Sequence, residues 1–99
     1  MGYDVFFTST TESAQTPVLN FSYSFNTFYR FFDLPRYRGK PASELVAPLK
    51  SGIKELERVH YILESTKNTL NATPGNYYAY LKLLLSYATA HPTWTFHCE

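Results

Sequence analysis

The spacing of hydrophobic residues changes along this chain, and that change limits the folds open to it. In the first quarter, apolar and polar residues alternate with a period of two, the pattern of a strand covered on one face. The alternating apolar residues are Leu19, Phe21, Tyr23 and Phe25. After Pro41 the spacing becomes three and four, as in Leu45, Leu49, Ile53 and Leu56, which is typical of an amphipathic helix.

These patterns predict five elements. We expect strands over residues 3–8 and 17–25, helices over residues 43–65 and 74–90, and a short C-terminal strand over residues 93–97. The predicted fold class is therefore α+β, with a small antiparallel sheet packed on two longer helices. A length of 99 residues is typical of a single domain, residues 1–99.

Three residues in the helical regions indicate local geometry. Pro48 predicts either that the first helix begins near it or that the helix kinks there. Gly52 lowers helix propensity by about 1 kcal/mol relative to alanine but lets another element approach closely. Thr73 is expected to cap the second helix, with Pro74 at its first position. The apolar arc of that helix is wide, which predicts burial on more than one side, either against both the sheet and the other helix or against a second copy of the chain.

Composition excludes several classes of protein. A net charge of +1 and a pI near 7.9 give no overall field toward nucleic acid or anionic lipid, so electrostatic recognition has to be local. The single cysteine, Cys98, cannot form a disulfide or a thiolate metal site within one chain. The N-terminal residues lack the basic and apolar regions of a secretory signal, which predicts a cytoplasmic protein, and no apolar run approaches the roughly 20 residues of a membrane span.

The main candidate binding segment is rich in aromatic residues and arginine. Residues 30–40 carry four positive side chains and one negative, Asp33. The candidate binding residues here are Tyr29, Arg30, Arg36, Tyr37 and Arg38. Their rings could stack on a ligand while the arginines bind phosphate or carboxylate in a bidentate manner. The alternative is that the aromatic residues belong to the core and the arginines to a solvated turn.

A second candidate surface is the polar face of the second predicted strand. Asn20 and Ser22, together with Ser24, lie on that face, and Asp4 is expected on a neighbouring strand. These side chains could form a hydrogen-bonding floor for a nucleotide or a sugar. The alternative is an ordinary exposed sheet face.

No constellation typical of catalysis, metal binding or cofactor binding is present in the sequence. His97 and Cys98 are neighbours in a predicted strand, so their side chains should point to opposite faces. Glu55 and Glu57 lie two apart on a predicted helix and should diverge. His60 is expected on the inner stripe of the first helix and His91 at the end of the second. We therefore predict no catalytic residues, no cofactor, no metal and no enzymatic activity.

Short motifs occur in a characteristic order. They are Tyr3-Asp4, Asn20-Phe21-Ser22-Tyr23-Ser24, a two-part helix after Gly39-Lys40, Thr73-Pro74-Gly75-Asn76 and His91-Pro92. In this order the chain resembles a group of small, uncharacterised bacterial and phage proteins with an Asn-x-[Ser/Thr]-Tyr strand and a Thr-x-Gly-Asn helix start. The resemblance implies the fold layout given above and a bacterial or viral origin.

Two functional hypotheses follow. The first is a small non-enzymatic interaction protein, encoded by a phage or mobile element, that binds and modulates or inhibits a host protein or protein complex; a counter-defence inhibitor is one such role. The alternative is a homodimer or higher oligomer that binds or sequesters a small ligand resembling a nucleotide, through Arg36, Arg38 and the ring of Tyr29 or Tyr37.

Overall fold

The fold is α+β, with a three-stranded antiparallel sheet covered on one face by helices. The computed structural model describes the backbone of residues 2–22, 29–65 and 74–99, and the side chains of residues 2–21, 29–59 and 77–99. Its elements are strand β1 (Gly2–Thr8), strand β2 (Leu19–Ser22), a short 3-10 helix (Leu34–Tyr37), helix α1 (Ser43–Ser65), helix α2 (Pro74–Ala90) and strand β3 (Thr95–Cys98).

Strand β1 is the central strand of the sheet, and the strand order is β2-β1-β3. Val5 of β1 lies opposite Leu19 on one side and opposite Cys98 on the other. Because side chains alternate along a strand, this register places the apolar residues of all three strands on the face toward the helices. The other face carries Asp4, Asn20 and other polar or half-buried side chains.

The predicted strands exist, and their bounds differ at the ends. Strand β2 begins at Leu19 and not at residue 17, while residues 23–25 lie outside the described part of the chain. Strand β3 begins at Thr95 and not at residue 93, because the Trp94 amide N–H donates to the His91 carbonyl in a turn. A 3-10 turn at residues 29–31 precedes the 3-10 helix at Leu34–Tyr37.

Both helices have the predicted bounds. Helix α1 runs through Pro48, so the alternative in which the helix begins near this proline is wrong; it begins at Ser43. Helix α2 begins at Pro74, where a missing N–H costs little, and Thr73, its predicted cap, lies outside the described residues. The side chain of His60, expected on the inner stripe, also lies outside them.

Among the described residues, one apolar core joins the sheet to the two helices. The stripe predicted on α1 is buried at Leu45, Leu49, Ile53 and Leu56. From α2 the core receives Tyr77, Leu81, Leu84 and Ala88, and from the sheet Val5, Phe7, Phe21, Phe96 and Cys98. Rings meet at tilted or edge-on angles within it, as Phe21 does against Tyr77 and Tyr80. The aromatic residues near the sheet thus supply much of the interior of this small fold.

Gly52 is the point at which the chain before the 3-10 helix crosses α1. A Cβ atom built on Gly52 would overlap the carbonyl oxygen of Phe31 and lie 3.2 Å from its carbon. Neither atom belongs to a flexible side chain, so a larger residue forces the two backbones apart. The glycine therefore lets the two elements pack at backbone distance, as its position in the helix predicts.

The outer edge of β3 is covered by the segment at residues 39–42. The Gly39 amide donates to the Phe96 carbonyl at 2.8 Å, and the Phe96 amide donates to the Lys40 carbonyl at 2.9 Å. Gly39 has φ of 80°, a left-handed conformation that favours glycine. This turn ties the chain after the 3-10 helix to the sheet and fixes where α1 starts.

Leu84 and Leu83 of α2 provide a matched test of the core. Leu84 is fully buried, whereas Leu83 is 40% exposed. We expect Leu84→Ala to lower the free energy of unfolding by about 2–5 kcal/mol, because it leaves a cavity in the core. Leu83→Ala should cost less than about 1 kcal/mol. Denaturant titration of both variants checks this, and equal losses would contradict the orientation of α2.

Candidate functional site

An open groove lies where residues 30–37 pass over α1. Its volume is about 540 Å³. One wall consists of residues from Arg30 to Tyr37, and the other consists of α1 residues from Pro48 to Val59. The close approach at Gly52 sets the line along which the two walls meet. The groove is thus built by two packed elements and not by a loop alone.

The aromatic residues of the first wall are fixed in place. Phe31 and Phe32 are buried, and the Phe32 ring stacks on Tyr37 with centroids 5.1 Å apart and planes 10° apart. The guanidinium of Arg30 lies 4.8 Å from the centroid of the Phe31 ring, and that of Arg36 lies 5.9 Å from the Tyr37 centroid. Cation–π contacts of this kind orient exposed arginines. Both guanidinium groups are therefore placed over rings at the wall of the groove.

The charged residues of the groove come from both walls. Within the described part of the chain they are Arg30, Asp33 and Arg36 from one wall and Glu55 and Arg58 from α1, an excess of one positive charge. The Arg58 Nε lies 3.1 Å from both carboxylate oxygens of Glu55, and its Nη2 also donates to Glu55. This hydrogen bond lowers the pKa of Glu55, and the charges of Arg58 and Arg30 lower it further.

Three of the predicted binding residues, Arg30, Arg36 and Tyr37, line the groove together. Tyr29 instead turns toward the sheet, where its hydroxyl donates to the Phe21 carbonyl at 3.0 Å. Burial, together with the neighbouring Tyr3 and Cys98, raises the pKa of Tyr29 to about 12. Tyr29 therefore links the chain before the 3-10 helix to strand β2.

Arg38 also faces away from the groove. Its Nε donates to the Cys98 carbonyl at 2.6 Å, at the edge of β3. The residues before it, Arg36 and Tyr37, lie at the groove, so the arginine-rich segment divides at this point. One part borders the groove, and the other part satisfies a carbonyl group of the sheet.

Two residues of the predicted polar floor, Asn20 and Asp4, lie next to each other on the outer face of the sheet. Asn20 lies opposite Asp4 in the register, and its side-chain amide donates to the Asp4 carboxylate at 2.7 Å. Both residues are exposed. The Ser22 side chain and Ser24 lie outside the described residues. The two described polar groups bind each other, and they lie in the sheet rather than at the groove.

The histidines and the cysteine are separated by the strand geometry. His97 lies on the outer face, stacks on Phe6 with centroids 4.8 Å apart, and shares a 2.8 Å hydrogen bond with the Thr8 hydroxyl. Cys98 is 1% exposed on the opposite face, where burial raises the pKa of its thiol. The predicted divergence of His97 and Cys98 is thus observed. His91 stacks on Trp94 at the end of α2.

Two features are absent from the described part of the chain. Among the side chains of residues 2–21, 29–59 and 77–99, no three of the metal-ligating types His, Cys, Asp and Glu come together. Neither α1 nor α2, in the part the structure describes, has the length and hydropathy that crossing a bilayer requires.

The sequence did not identify the α1 wall as part of the site. Ser51, Glu55 and Arg58 belong to the groove, although the sequence predicts binding only by residues 29–38 and by the polar strand face at Asn20 and Ser22. Two signals pointed to this wall. Gly52 indicates that another element approaches α1 closely. Glu55 and Arg58 have the i,i+3 spacing of a helical ion pair. Only the tertiary structure shows which segment of the chain crosses α1 at Gly52.

Comparison with protein-family models, with curated proteins and with solved structures finds no match to this chain. What the groove can bind follows from its own chemistry.

Arg38 and Arg36 should differ in their effect on folding. Arg38→Gln removes the guanidinium that donates to the Cys98 carbonyl, so we expect a loss of about 0.5–1.5 kcal/mol in the free energy of unfolding. Arg36→Gln removes the same charge at an exposed position, and it should change the free energy of unfolding by less than about 0.5 kcal/mol. Denaturant unfolding of the two variants measures the difference, and the reverse order of losses would refute this division of the arginines.

Proposed function

We propose that this protein is a small, non-enzymatic interaction protein that binds a host protein or protein complex through the groove and modulates or inhibits it. The observation that carries the proposal is the convergence of Arg30, Arg36 and Arg58 with a stacked Phe32–Tyr37 pair on one open groove. Arginine and aromatic residues are the types enriched at protein interfaces and at their energetic hot spots.

The rigidity of the groove supports this proposal. Its aromatic wall is packed against the core, and its α1 wall is a long helix, so little conformational entropy is lost on binding. The groove is open to solvent and its arginines are exposed, which suits a segment of another protein. The proposed origin in a phage or mobile element, the counter-defence role and the host-cell cytoplasm as location rest on the sequence arguments alone.

The alternative is a homodimer or larger oligomer that binds a small ligand resembling a nucleotide. The groove volume supports it, because about 540 Å³ lies in the range of small-molecule sites, roughly 300–1,000 Å³. The aromatic rings of the groove give the nucleotide alternative less support. Tyr37 already stacks on Phe32, and guanidinium groups lie over Phe31 and Tyr37, so these faces are occupied within the chain.

Photo-crosslinking can test whether the groove binds a partner. Ser51 and Ser86 are both exposed helical serines, and only Ser51 lines the groove. We expect Ser51→benzoylphenylalanine to capture one protein in the native host cell, and Ser86→benzoylphenylalanine not to capture it. Capture from Ser86 alone would place the interface elsewhere and contradict the proposal.

Affinity measurements with the purified partner then test the chemistry. Arg36→Gln should weaken binding about tenfold or more, as removal of an interface arginine commonly does. Lys50→Gln, an exposed α1 residue that does not line the groove, carries the same change in charge and should leave affinity within about twofold. Equal losses in the two variants would exclude a specific role for Arg36.

A further inference from the structure

The groove already contains a carboxylate bound to a guanidinium. Glu55 accepts from both Nε and Nη2 of Arg58, in the fork-like manner in which arginine binds carboxylates. The charge of Arg30 also acts on Glu55. Both Glu55 and Arg58 are largely exposed, so neither group is locked into the pair by burial. A carboxylate arriving from outside can therefore compete with Glu55 for the same donors.

The charge balance of the groove fits one carboxylate. Among the lining residues that the structure describes, three guanidinium groups accompany two carboxylates, Asp33 and Glu55, an excess of one positive charge. An aspartate or glutamate side chain restores neutrality. A nucleoside diphosphate or triphosphate carries several negative charges and would have to lie beside Asp33 and Glu55, where like charges repel.

The arrangement of the rings also favours a carboxylate over a base. Stacking on a base requires a free ring face, but the Tyr37 face is used by Phe32 and the Phe31 ring lies under Arg30. These contacts orient the guanidinium groups, which is what bidentate carboxylate binding requires. Half-buried Pro48 and Val59 in the α1 wall can contact apolar side chains that flank the carboxylate.

Building on the proposed function, we propose that the groove binds an acidic peptide segment of the partner, with a Glu or Asp carboxylate between apolar side chains. Arg30, Arg36 and Arg58 bind that carboxylate. Glu55 is an internal competitor that occupies Arg58 in the free protein and is displaced on binding. Because the ligand has to displace Glu55, this residue lowers the affinity of the groove and disfavours peptide segments that lack a carboxylate.

The direct test is a titration followed by NMR of the arginine Nε–H groups in the ¹⁵N-labelled full chain. The probes are two blocked tripeptides, acetyl-Leu-Glu-Leu-amide and acetyl-Leu-Gln-Leu-amide, together with AMP. We expect the Glu peptide to shift the signals of Arg30, Arg36 and Arg58 and to bind about fivefold or more tightly than the Gln peptide, because only Glu supplies a charged carboxylate that pairs with a guanidinium in a bidentate manner. Equal binding of the two peptides, or tighter binding of AMP, would overturn the inference.

Glu55 and Glu57 supply the matched control for the competitor. Both are exposed glutamates of α1, but Glu57 accepts a hydrogen bond from the Tyr78 hydroxyl at 2.6 Å and does not line the groove. Glu55→Gln should tighten binding of the Glu peptide about two- to fivefold, the range that releasing an exposed ion pair supplies. Glu57→Gln makes the same change in net charge and should leave binding unaltered. Equal tightening by both variants would show a general charge effect and exclude the competitor role.

The two proposals can fail separately. A partner that crosslinks at Ser51 while the Glu peptide shifts no arginine signal would overturn the acidic-segment inference and leave the proposed function standing. Binding of the Glu peptide at the groove without any crosslinked partner would support the carboxylate site and count against the proposed function.

Discussion

The backbone contact between Gly52 and Phe31 is the constraint on which the site depends. Helix α1 can pass directly under the Phe31 carbonyl only because residue 52 has no side chain. This contact lets Phe31 and Phe32 reach the core while the residues on either side remain outside. The helix gives up about 1 kcal/mol of intrinsic propensity at this glycine, and the close packing of the two elements offsets that cost.

The same contact explains why one arginine-rich segment has two roles. Phe31, Phe32 and Leu34 are buried, so their neighbours Arg30 and Arg36 are left on the solvent side, at the edge of α1. At Arg38 and the left-handed Gly39 the chain turns toward the edge of the sheet, where the Arg38 side chain donates to the Cys98 carbonyl. The path of the backbone therefore places some of the arginine and aromatic side chains at the groove and others at the sheet. The groove receives the part of the segment that faces α1.

Local patterns predicted most of the fold. Alternation located β2, and the three-and-four spacing with Pro74 located both helices at their observed bounds, because these signals depend on neighbouring residues alone. The strand ends were less accurate. The turn that delays β3 to Thr95 depends on a hydrogen bond between Trp94 and His91, and nothing in the alternation of Thr93 to Phe96 signals it.

The site was harder to predict, because it combines residues distant in sequence. The sequence identified Arg30, Arg36 and Tyr37 by their chemistry, but the direction of Arg38 is set by its contact with Cys98, 60 residues away. The α1 wall was missed for the same reason. Glu55 and Arg58 look like an ordinary helical ion pair until the segment at residues 30–37 is placed above them.

The central claim is that the groove is fixed by backbone packing at Gly52, and the free energy of unfolding of Gly52→Ala tests it most directly. Ser51→Ala, at the adjacent exposed position of the same helix, is the control. If the Phe31 carbonyl lies against residue 52, the added methyl group should lower the free energy of unfolding by about 1–3 kcal/mol, while Ser51→Ala stays within about 0.5 kcal/mol. If Gly52→Ala instead stabilises the protein, as helix propensity alone predicts, the close contact is absent and this account of the groove is wrong.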